Sequence, residues 1–226
     1  MHCFIILALT LASFGVPTIS YSETAWETLD TVDGVEVFRR SFPGKGQYEF
    51  RGVGEVSGEL SEVLALIVDP KLQTEWVEGC TSSMQVDGNM LNKEETDLRR
   101  LFQVKYGTQG VPWPLNDRDY VIKSHFEIDG SKDKGLKSIS LMSYAVEHPK
   151  HPVSEDFVRI NHMQVEVRLS KLPNGTQFDF RVLVDPGGVV PHWIVNFVTE
   201  SVPQKTISRI RSLVQNKKYN KDHLKL

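Results

Sequence analysis

Cysteine is scarce in this sequence, and the positions of the two cysteines argue against a disulfide-stabilised scaffold. The chain of 226 residues contains only Cys3 and Cys80. Cys3 lies in an apolar N-terminal stretch that we expect to be removed, so the mature chain would keep Cys80 alone and form no internal disulfide. We predict that Cys80 is a small buried apolar residue and that the fold depends on an ordinary hydrophobic core.

Long apolar runs are also scarce, since a single one stands out, from residue 4 to residue 16. Small residues follow it up to Ser22, which predicts a signal peptide over 1–22 and one domain over 23–226. An uncleaved anchor is the alternative, but the run is shorter than the ~20 residues that a spanning helix needs. We therefore expect a secreted or periplasmic protein.

Motifs typical of catalysis are missing as well. The sequence has no G-x-S-x-G, no H-E-x-x-H, no phosphate-binding glycine loop and no dinucleotide fingerprint. His148 and His151 form an H-x-x-H, but the prolines that follow each histidine predict a loop and no third ligand lies nearby. We predict no metal, no cofactor and no enzymatic activity.

Charge is balanced overall and uneven along the chain. Apolar residues make up 40% and charged residues 24%, which is typical of a globular protein. The net charge is −3, yet the last segment, 204–226, holds seven basic residues against one acidic residue. This basic end could contact anionic lipid headgroups, or it could be a solvated tail. We expect no nucleic-acid partner.

Helical and extended patterns alternate in the first third of the chain. Residues 31–40 predict a strand with a turn at Asp33-Gly34, and 48–56 predict its partner. Ser57 is the expected N-cap of a helix whose apolar residues recur every three or four positions and which ends near Pro70.

Period-two alternation then dominates as far as residue 184. Five such segments follow one another with short turns and no helix between them, which predicts an antiparallel meander. Pro173-Asn174-Gly175 is the strongest hairpin signal. The alternating sets are Leu98, Arg100, Phe102 and Val104; Tyr120, Ile122, Ser124, Phe126 and Ile128; Ile139, Leu141, Ser143 and Ala145; Met163, Val165, Val167 and Leu169; Phe178, Phe180, Val182 and Val184.

A helical period returns after residue 188 and predicts one long helix over about 191–216, interrupted at Pro203. An antiparallel sheet of six or seven strands needs a cover for its apolar face, and this helix is the main cover available. A twisted sheet that curves around one helix leaves a volume between them, to be filled by side chains or by a ligand. The fold class is therefore predicted as α+β.

Two segments resemble a known family. Residues 112–121, P-W-P-L-N-D-R-D-Y-V, resemble the P-W-P-L-x-x-R-D-[FY]-V signature of START domains, and 185–196, D-P-G-G-V-V-P-H-W-I-V-N, resemble the start of the family's C-terminal helix. Phe157-Val158-Arg159 also resembles a strand start in that family. With the matching strand order, the resemblance covers about residues 26–216.

The resemblance implies a helix-grip fold with a tunnel between the sheet and the C-terminal helix. Such a tunnel would hold one sterol or phospholipid-like ligand, carried or sensed without catalysis. Ligand access would involve the helix over 193–214 and the loop 148–156, both also expected to touch membranes transiently. The export signal departs from the pattern, which leaves the identity of the lipid open.

Candidate ligand residues follow from the inward faces of the strands and the helix. Arg100 and Arg159 lie in alternating apolar strands, so each needs a carboxylate or a lipid headgroup as a partner, and both alternatives stay open. Arg118 and Asp119 are expected to be structural, and Trp113 and Trp193 to anchor the core. The full candidate set is Arg100, Phe102, Tyr120, Ile122, Ser143, Arg159, Met163, Trp193 and Phe197.

Two other functions remain open from the sequence. One is an enzyme of the helix-grip superfamily, such as an aromatase/cyclase or a hydrolase-like member, that uses Arg100, Tyr120 or His162 for acid–base chemistry. The other is an interaction module with a fully packed interior and no ligand.

Overall fold

A computed structural model describes residues 24–42, 46–89, 101–131 and 135–219. The expected signal peptide lies outside these ranges, and so do the last seven residues of the basic C-terminal end, 220–226. None of the helices in the described part of the chain combines the length and the apolar character that a membrane crossing requires.

The described part of the chain begins with a hairpin and a third strand, followed by short helices and then by most of the sheet. A 3₁₀ turn, Pro70–Leu72, separates the first two helices. The strands are β1 Glu27–Val32, β2 Val35–Phe42, β3 Gln47–Val56, β4 Cys80–Gly88, β5 Phe102–Gln109, β6 Arg118–Ser131, β7 Gly135–Ala145, β8 Val158–Arg159, β9 His162–Leu172 and β10 Gly175–Asp185; the helices are α1 Leu60–Val68, α2 Gln73–Trp76, α3 His192–Glu200 and α4 Val202–Gln215.

The strands form one curved sheet within the described residues. Its order is β1-β2-β3-β10-β9-β7-β6-β5-β4, and every neighbour along this path is antiparallel. The two-residue β8 pairs with β6 in parallel and is an addition to the predicted meander. The pairing of β3 with β10 joins the N-terminal hairpin to the rest of the sheet, so the predicted α+β architecture is confirmed.

Turn residues set two hairpins of this sheet. Asp33 and Gly34 both have positive φ, 53° and 68°, and they join β1 to β2. The predicted turn at Asp33-Gly34 is confirmed, but it divides the strand predicted over 31–40 into the ends of two paired strands. Pro173-Asn174 joins β9 to β10, and the predicted hairpin is confirmed.

The first helix starts later than the sequence predicts. Glu59, rather than Ser57, is its N-cap, and the backbone N–H of Glu59 donates to the side chain of Glu62 at 2.9 Å. Gly58 N–H bonds to the carbonyl of Val56 at 2.9 Å, so the chain turns here before the helix can begin. A glutamate at position N3 of the cap accepts the N–H that the cap residue would otherwise leave unpaired.

The predicted C-terminal helix is divided into α3 and α4 at Ser201, with Pro203 in the first turn of α4. Ile207 and Ile210 of α4 are fully buried. Glycine allows this close packing, because a Cβ at Gly52 of β3 would lie 2.7 Å from the Cβ of Pro203.

Arg211 fixes α4 to the edge of the sheet. Its guanidinium donates to the carbonyls of Glu55 at 2.7 Å, Asp33 at 2.5 Å and Gly34 at 3.2 Å. The β1–β2 turn and the end of β3 are thereby bound to the same face of α4. These hydrogen bonds, together with apolar packing, hold α4 against the sheet.

Candidate ligand site

The inner face of β6 is the one that the sequence predicts. Tyr120, Ile122 and Ser124 are buried there, whereas His125 and Glu127 of the other face are exposed. Ile122 pairs with Ala145 of β7, and Ser124 pairs with Ser143, so the inner face continues across the neighbouring strand.

Tyr120 is placed by contacts on three sides. Its hydroxyl accepts a hydrogen bond from Nε2 of Gln73 in α2 at 3.0 Å and lies 3.6 Å from Sγ of Cys80. Its ring covers Gly107 of β5, where a Cβ would lie 2.5 Å from the ring. Ser83 donates to the amide oxygen of Gln73 at 3.0 Å, which fixes the orientation of that amide.

Burial keeps both acidic groups of this cluster neutral. Desolvation raises the pKa of Tyr120 well above its ordinary value of 10.0, and the nearby thiol adds to the effect. Desolvation also raises the pKa of Cys80 above 9.0, and the Tyr120 hydroxyl only partly opposes this. A nucleophilic cysteine needs a lowered pKa. The Cys80 thiol is therefore a packing group, as the sequence predicts.

Two apolar clusters lie on the inner face, with small polar side chains between them. The larger cluster includes Phe126 and Leu141, and the smaller one contains Tyr120, Ile122 and Ile160, with Met163 and Val184 packed against it. Between them, the hydroxyls of Ser124 and Ser143 bond to each other at 2.8 Å. Small side chains with satisfied hydroxyls leave more room than the large apolar residues on either side.

A lysine lies on the same inner surface. Lys105 of β5 pairs with Ile122 and is 4% exposed. Gln103, on the same face, donates from Nε2 to the carbonyl of Val68 at 2.9 Å, which shows that α1 covers this side of β5. Desolvation lowers the pKa of Lys105 from 10.5 to about 8, although Cys80 and Asp69 oppose the change.

Arg159 has a carboxylate partner. Its guanidinium forms two hydrogen bonds to Asp119 at 2.8 Å each, and both side chains are buried. It also donates to the carbonyls of His151 at 3.2 Å and Pro152 at 3.1 Å. Of the two partners that the sequence leaves open, the structure shows the carboxylate, and the pair holds the loop 146–157 against β6.

The faces of the strands separate Arg159 from the apolar interior. Ile160 belongs to the inner cluster, so its neighbour Arg159 points to the other side of the sheet, as does Asp119 beside Tyr120. The expected structural role of Asp119 is confirmed, but its partner is Arg159. Arg118 instead donates to the carbonyls of Asn116 and Pro186.

Three other candidates lie apart from the inner surface or outside the described set. Phe102 pairs with the exposed His125, and its ring lies under the ammonium group of Lys123 at 5.3 Å, on the outer face. Arg100 falls outside the described residues, and for Phe197 only the backbone, within α3, is described. The structure thus brings together Tyr120, Ile122, Ser143 and Met163, whose contact with a ligand stays a prediction.

The two tryptophans are exposed, contrary to their expected role as core anchors. Trp113 is 91% exposed and Trp193 is 72% exposed. Both lie where the chain turns outside the sheet, Trp113 in the loop before β6 and Trp193 in the first turn of α3. The sequence pattern shows that these positions are apolar but cannot show that nothing covers them.

Two of the clefts that described residues form lie away from the space between the sheet and α4. One, of about 700 Å³, is open to solvent between the start of α1 and the β9–β10 hairpin. The other, of about 190 Å³, lies at the ends of β7, β9 and β10 and includes Ala145 and Met163. Within the described ranges, no group of three or more His, Cys, Asp or Glu side chains is arranged to hold a metal ion.

Sequence reasoning missed Lys105 and Gln73. The alternation in β5 predicts Phe102 and Val104 on the inner face, but the inner residues are Gln103 and Lys105. A polar inner row gives no apolar periodicity, so no sequence signal marks it. Gln73 lies in a four-residue helix that is too short for a periodic pattern.

Comparison with known proteins identifies the family. The sequence model of the START domain matches residues 15–219. This chain belongs to the START domain family. It is 26% identical over 213 residues to an uncharacterized protein of Pseudomonas aeruginosa, covering 92% of this chain and 96% of that protein. It is 24% identical to the bovine phosphatidylcholine transfer protein, covering 80% of this chain and 79% of that protein.

Solved START structures share the fold. The STAR-related lipid transfer protein of Xanthomonas axonopodis superposes with a TM-score of 0.70 at 24% identity, covering 84% of this chain and 98% of that one. Human StAR-related lipid transfer protein 5 superposes with a TM-score of 0.68 at 23% identity, covering 85% and 88%. The helix-grip fold is therefore confirmed.

Proposed function

We propose that this START domain binds one lipid between its sheet and its C-terminal helices and carries or senses it without chemical conversion. The observation that carries the proposal is the inner surface, where the smaller apolar cluster around Ile122 is separated from the main core by the Ser124–Ser143 pair. Membership of a family whose relatives include a phosphatidylcholine transfer protein supports a lipid as the ligand.

The energetics suit a carrier. Moving about 14 methylene groups from water into an apolar interior gains on the order of 11 kcal/mol. Moving them from a bilayer gains almost nothing, since the chains were already in an apolar medium. Uptake and release at a membrane therefore need no energy source, and a few inner polar groups select the headgroup.

Catalysis has little support in the inner cluster. Both Tyr120 and Cys80 have raised pKa values and are hydrogen-bonded to each other or to Gln73, so neither is prepared to act as a base or nucleophile near neutral pH. His162, the third candidate for acid–base chemistry, is exposed.

Transient contact with a membrane is part of the proposal and rests on exposed apolar side chains. The loops before β6, before β8 and after β10 are linked by hydrogen bonds. Arg118 donates to the carbonyl of Pro186 at 3.4 Å, and Arg159 donates to the carbonyls of His151 and Pro152. These loops and the first turn of α3 expose Trp113, Val153, Val189 and Trp193. Exposed apolar patches of this kind mark interaction surfaces, and tryptophan is favoured at membrane interfaces.

The basic C-terminal end contributes less to this contact than its charge implies. Arg209 and Lys205 form ion pairs with Glu78, and Lys218 pairs with Glu75 at 3.0 Å. The protein itself therefore neutralises part of the positive charge expected to face anionic lipids. We place the main contact at the apolar loops, including 148–156.

Lipid binding is tested by native mass spectrometry and by transfer of a fluorescent phospholipid between vesicles. We expect a co-purified lipid and faster transfer than in buffer. Ser143→Phe should fill the inner space and reduce uptake, whereas Met142→Phe, which changes the neighbouring exposed residue of β7, should leave uptake unchanged. Absence of any lipid uptake from vesicles of phosphatidylcholine, phosphatidic acid or cholesterol would refute the proposal.

Export is also proposed, on the apolar run over 4–16 followed by small residues up to Ser22. The mass of the protein recovered outside the cytoplasm tests it. We expect a product that begins after Ser22, and full-length protein retained with the cytoplasmic fraction would contradict the proposal.

A further inference from the structure

Lys105 is a buried cation with an unused binding capacity. It is 4% exposed on the inner face of β5, between Gln103 and Gly107. No described residue forms a hydrogen bond or an ion pair with its ammonium group. An ammonium group has three donors and no acceptor, so all three are available to a guest on this face.

The polar groups around Lys105 are already engaged. The amide of Gln103 donates to the carbonyl of Val68 and to the amide oxygen of Gln85, each at 2.9 Å. The carboxylate of Asp69 accepts from the backbone N–H of Lys71 at 2.9 Å. Asp69 raises the pKa of Lys105 through space but forms no ion pair with it.

The neighbouring acids do not supply an anion either. Cys80 and Tyr120 are held neutral by burial, which raises the pKa of each. A charged group taken from water without a partner is costly, so proteins pair buried charges, neutralise them or use them to bind ligands. Because its pKa is about 8, Lys105 is mostly protonated at neutral pH. Its missing partner is therefore an anion.

We propose that Lys105 is the anchor for an anionic oxygen group, a phosphate or a carboxylate, of the lipid bound on the inner face of the sheet. This inference rests on the proposed function. Ile122, which pairs with Lys105 across the two strands, belongs to the smaller apolar cluster. An acyl chain can therefore pack against this cluster while its anionic group binds the ammonium group of Lys105. The Ser124–Ser143 pair, one row further along the sheet, offers hydroxyls to the same end of the guest.

The test compares lipids that share their acyl chains and differ in the head. The full chain, stripped of lipid, is incubated with vesicles that contain phosphatidic acid, the corresponding free fatty acid or the corresponding diacylglycerol, and occupancy is measured by native mass spectrometry. The wild type should prefer the two anionic lipids to diacylglycerol. Occupancy by phosphatidic acid compared with occupancy by the fatty acid shows whether the site binds a phosphate or a carboxylate more tightly.

Lys105→Met should lower occupancy by the anionic lipids by about ten- to a hundredfold, the range for a hydrogen bond to a charged group. Occupancy by diacylglycerol should remain within about twofold. The control is Lys123→Met, on the outer face of the adjacent strand, which should keep the preference of the wild type. Folding of each variant is checked by circular dichroism.

The outcomes separate this inference from the proposed function. If Lys105→Met binds anionic lipids as well as the wild type does, or if the wild type takes up diacylglycerol equally well, the anchor is refuted and the lipid carrier stands. If the wild type takes up none of the three lipids, the anchor is refuted, and the lipid carrier is refuted with it when phosphatidylcholine and cholesterol are not taken up either.

Discussion

Replacing Lys105 by methionine is expected to stabilise the lipid-free protein. The ammonium group is buried without a partner among the described residues, and this burial lowers its pKa from 10.5 to about 8. Methionine has a similar length and no charge, so it keeps the packing between Gln103 and Gly107 and removes the cost of burying the charge.

The size of the effect follows from the pKa difference. Each unit of difference between the pKa of Lys105 in the folded and in the unfolded chain corresponds to about 1.4 kcal/mol. The charged lysine therefore destabilises the folded state by about 3 kcal/mol at pH 7. Between pH 8 and pH 10.5 the unfolded chain holds the proton and the folded chain has lost it, so the free energy of unfolding of the wild type rises with pH. The advantage of Lys105→Met should accordingly shrink across this window.

Urea denaturation of the lipid-free proteins at several pH values from 6.5 to 10 measures this advantage. Raised pKa values make Cys80 and Tyr120 act in the opposite direction, because the unfolded chain loses those protons first. These contributions largely cancel in the difference between the free energies of unfolding of the wild type and of Lys105→Met, since both proteins contain Cys80 and Tyr120. Lys123→Met, which removes a lysine from the outer face of the adjacent strand, serves as the matched control.

A variant that is less stable than the wild type at pH 7, or a difference that stays constant from pH 7 to pH 10, would refute the reasoning. Either result would mean that the charge of Lys105 does not destabilise the lipid-free protein. An anionic lipid that remains bound would have the same effect, so its removal is verified by mass spectrometry before the measurement.

Three further substitutions test the remaining contacts. Asp119→Asn should destabilise the fold by about 3–5 kcal/mol, because Arg159 would stay buried without its charge partner; hydrogen exchange should also rise in the loop 146–157, and unchanged exchange would argue against this role. Gly52→Val should cost about 1–3 kcal/mol in a thermal melt, since its Cβ would lie 2.7 Å from Pro203, and an unchanged melt would mean that α4 moves away freely. Tyr120→Phe should cost about 1–3 kcal/mol in urea denaturation by leaving the amide of Gln73 unpaired, and an equal stability would show that water replaces the hydroxyl.

Periodicity predicted most of the sheet. The inner row of β6 from Tyr120 to Ile128 and the β9–β10 hairpin follow from alternation and from turn residues that act within a few positions. These signals are local, since a strand places successive side chains on opposite faces whatever lies further along the chain. The same local signal failed in β5, where the inner residues Gln103 and Lys105 are polar.

The partners of buried charges could not be predicted in the same way. Arg159 meets Asp119, forty positions earlier, because β8 pairs in parallel with β6. The sequence left a carboxylate and a lipid headgroup open for Arg159, and only the pairing of these strands brings Asp119 to it. Exposure of Trp193 depends likewise on which elements cover the first turn of α3, and no pattern within the helix records that.

The sequence alone predicted the antiparallel succession of β5, β6, β7, β9 and β10, the helical segment after residue 188 and, through two motifs around Arg118 and Trp193, the START family. These features depend on neighbours in the chain, where side-chain period and turn residues act directly. The tertiary structure decided which face of β5 points inward, which carboxylate pairs with Arg159, and that Lys105 is buried with no ion-pair partner among the residues that the structure describes. Burial and charge pairing depend on distances between remote segments, and those distances exist only once the sheet has closed around its helix.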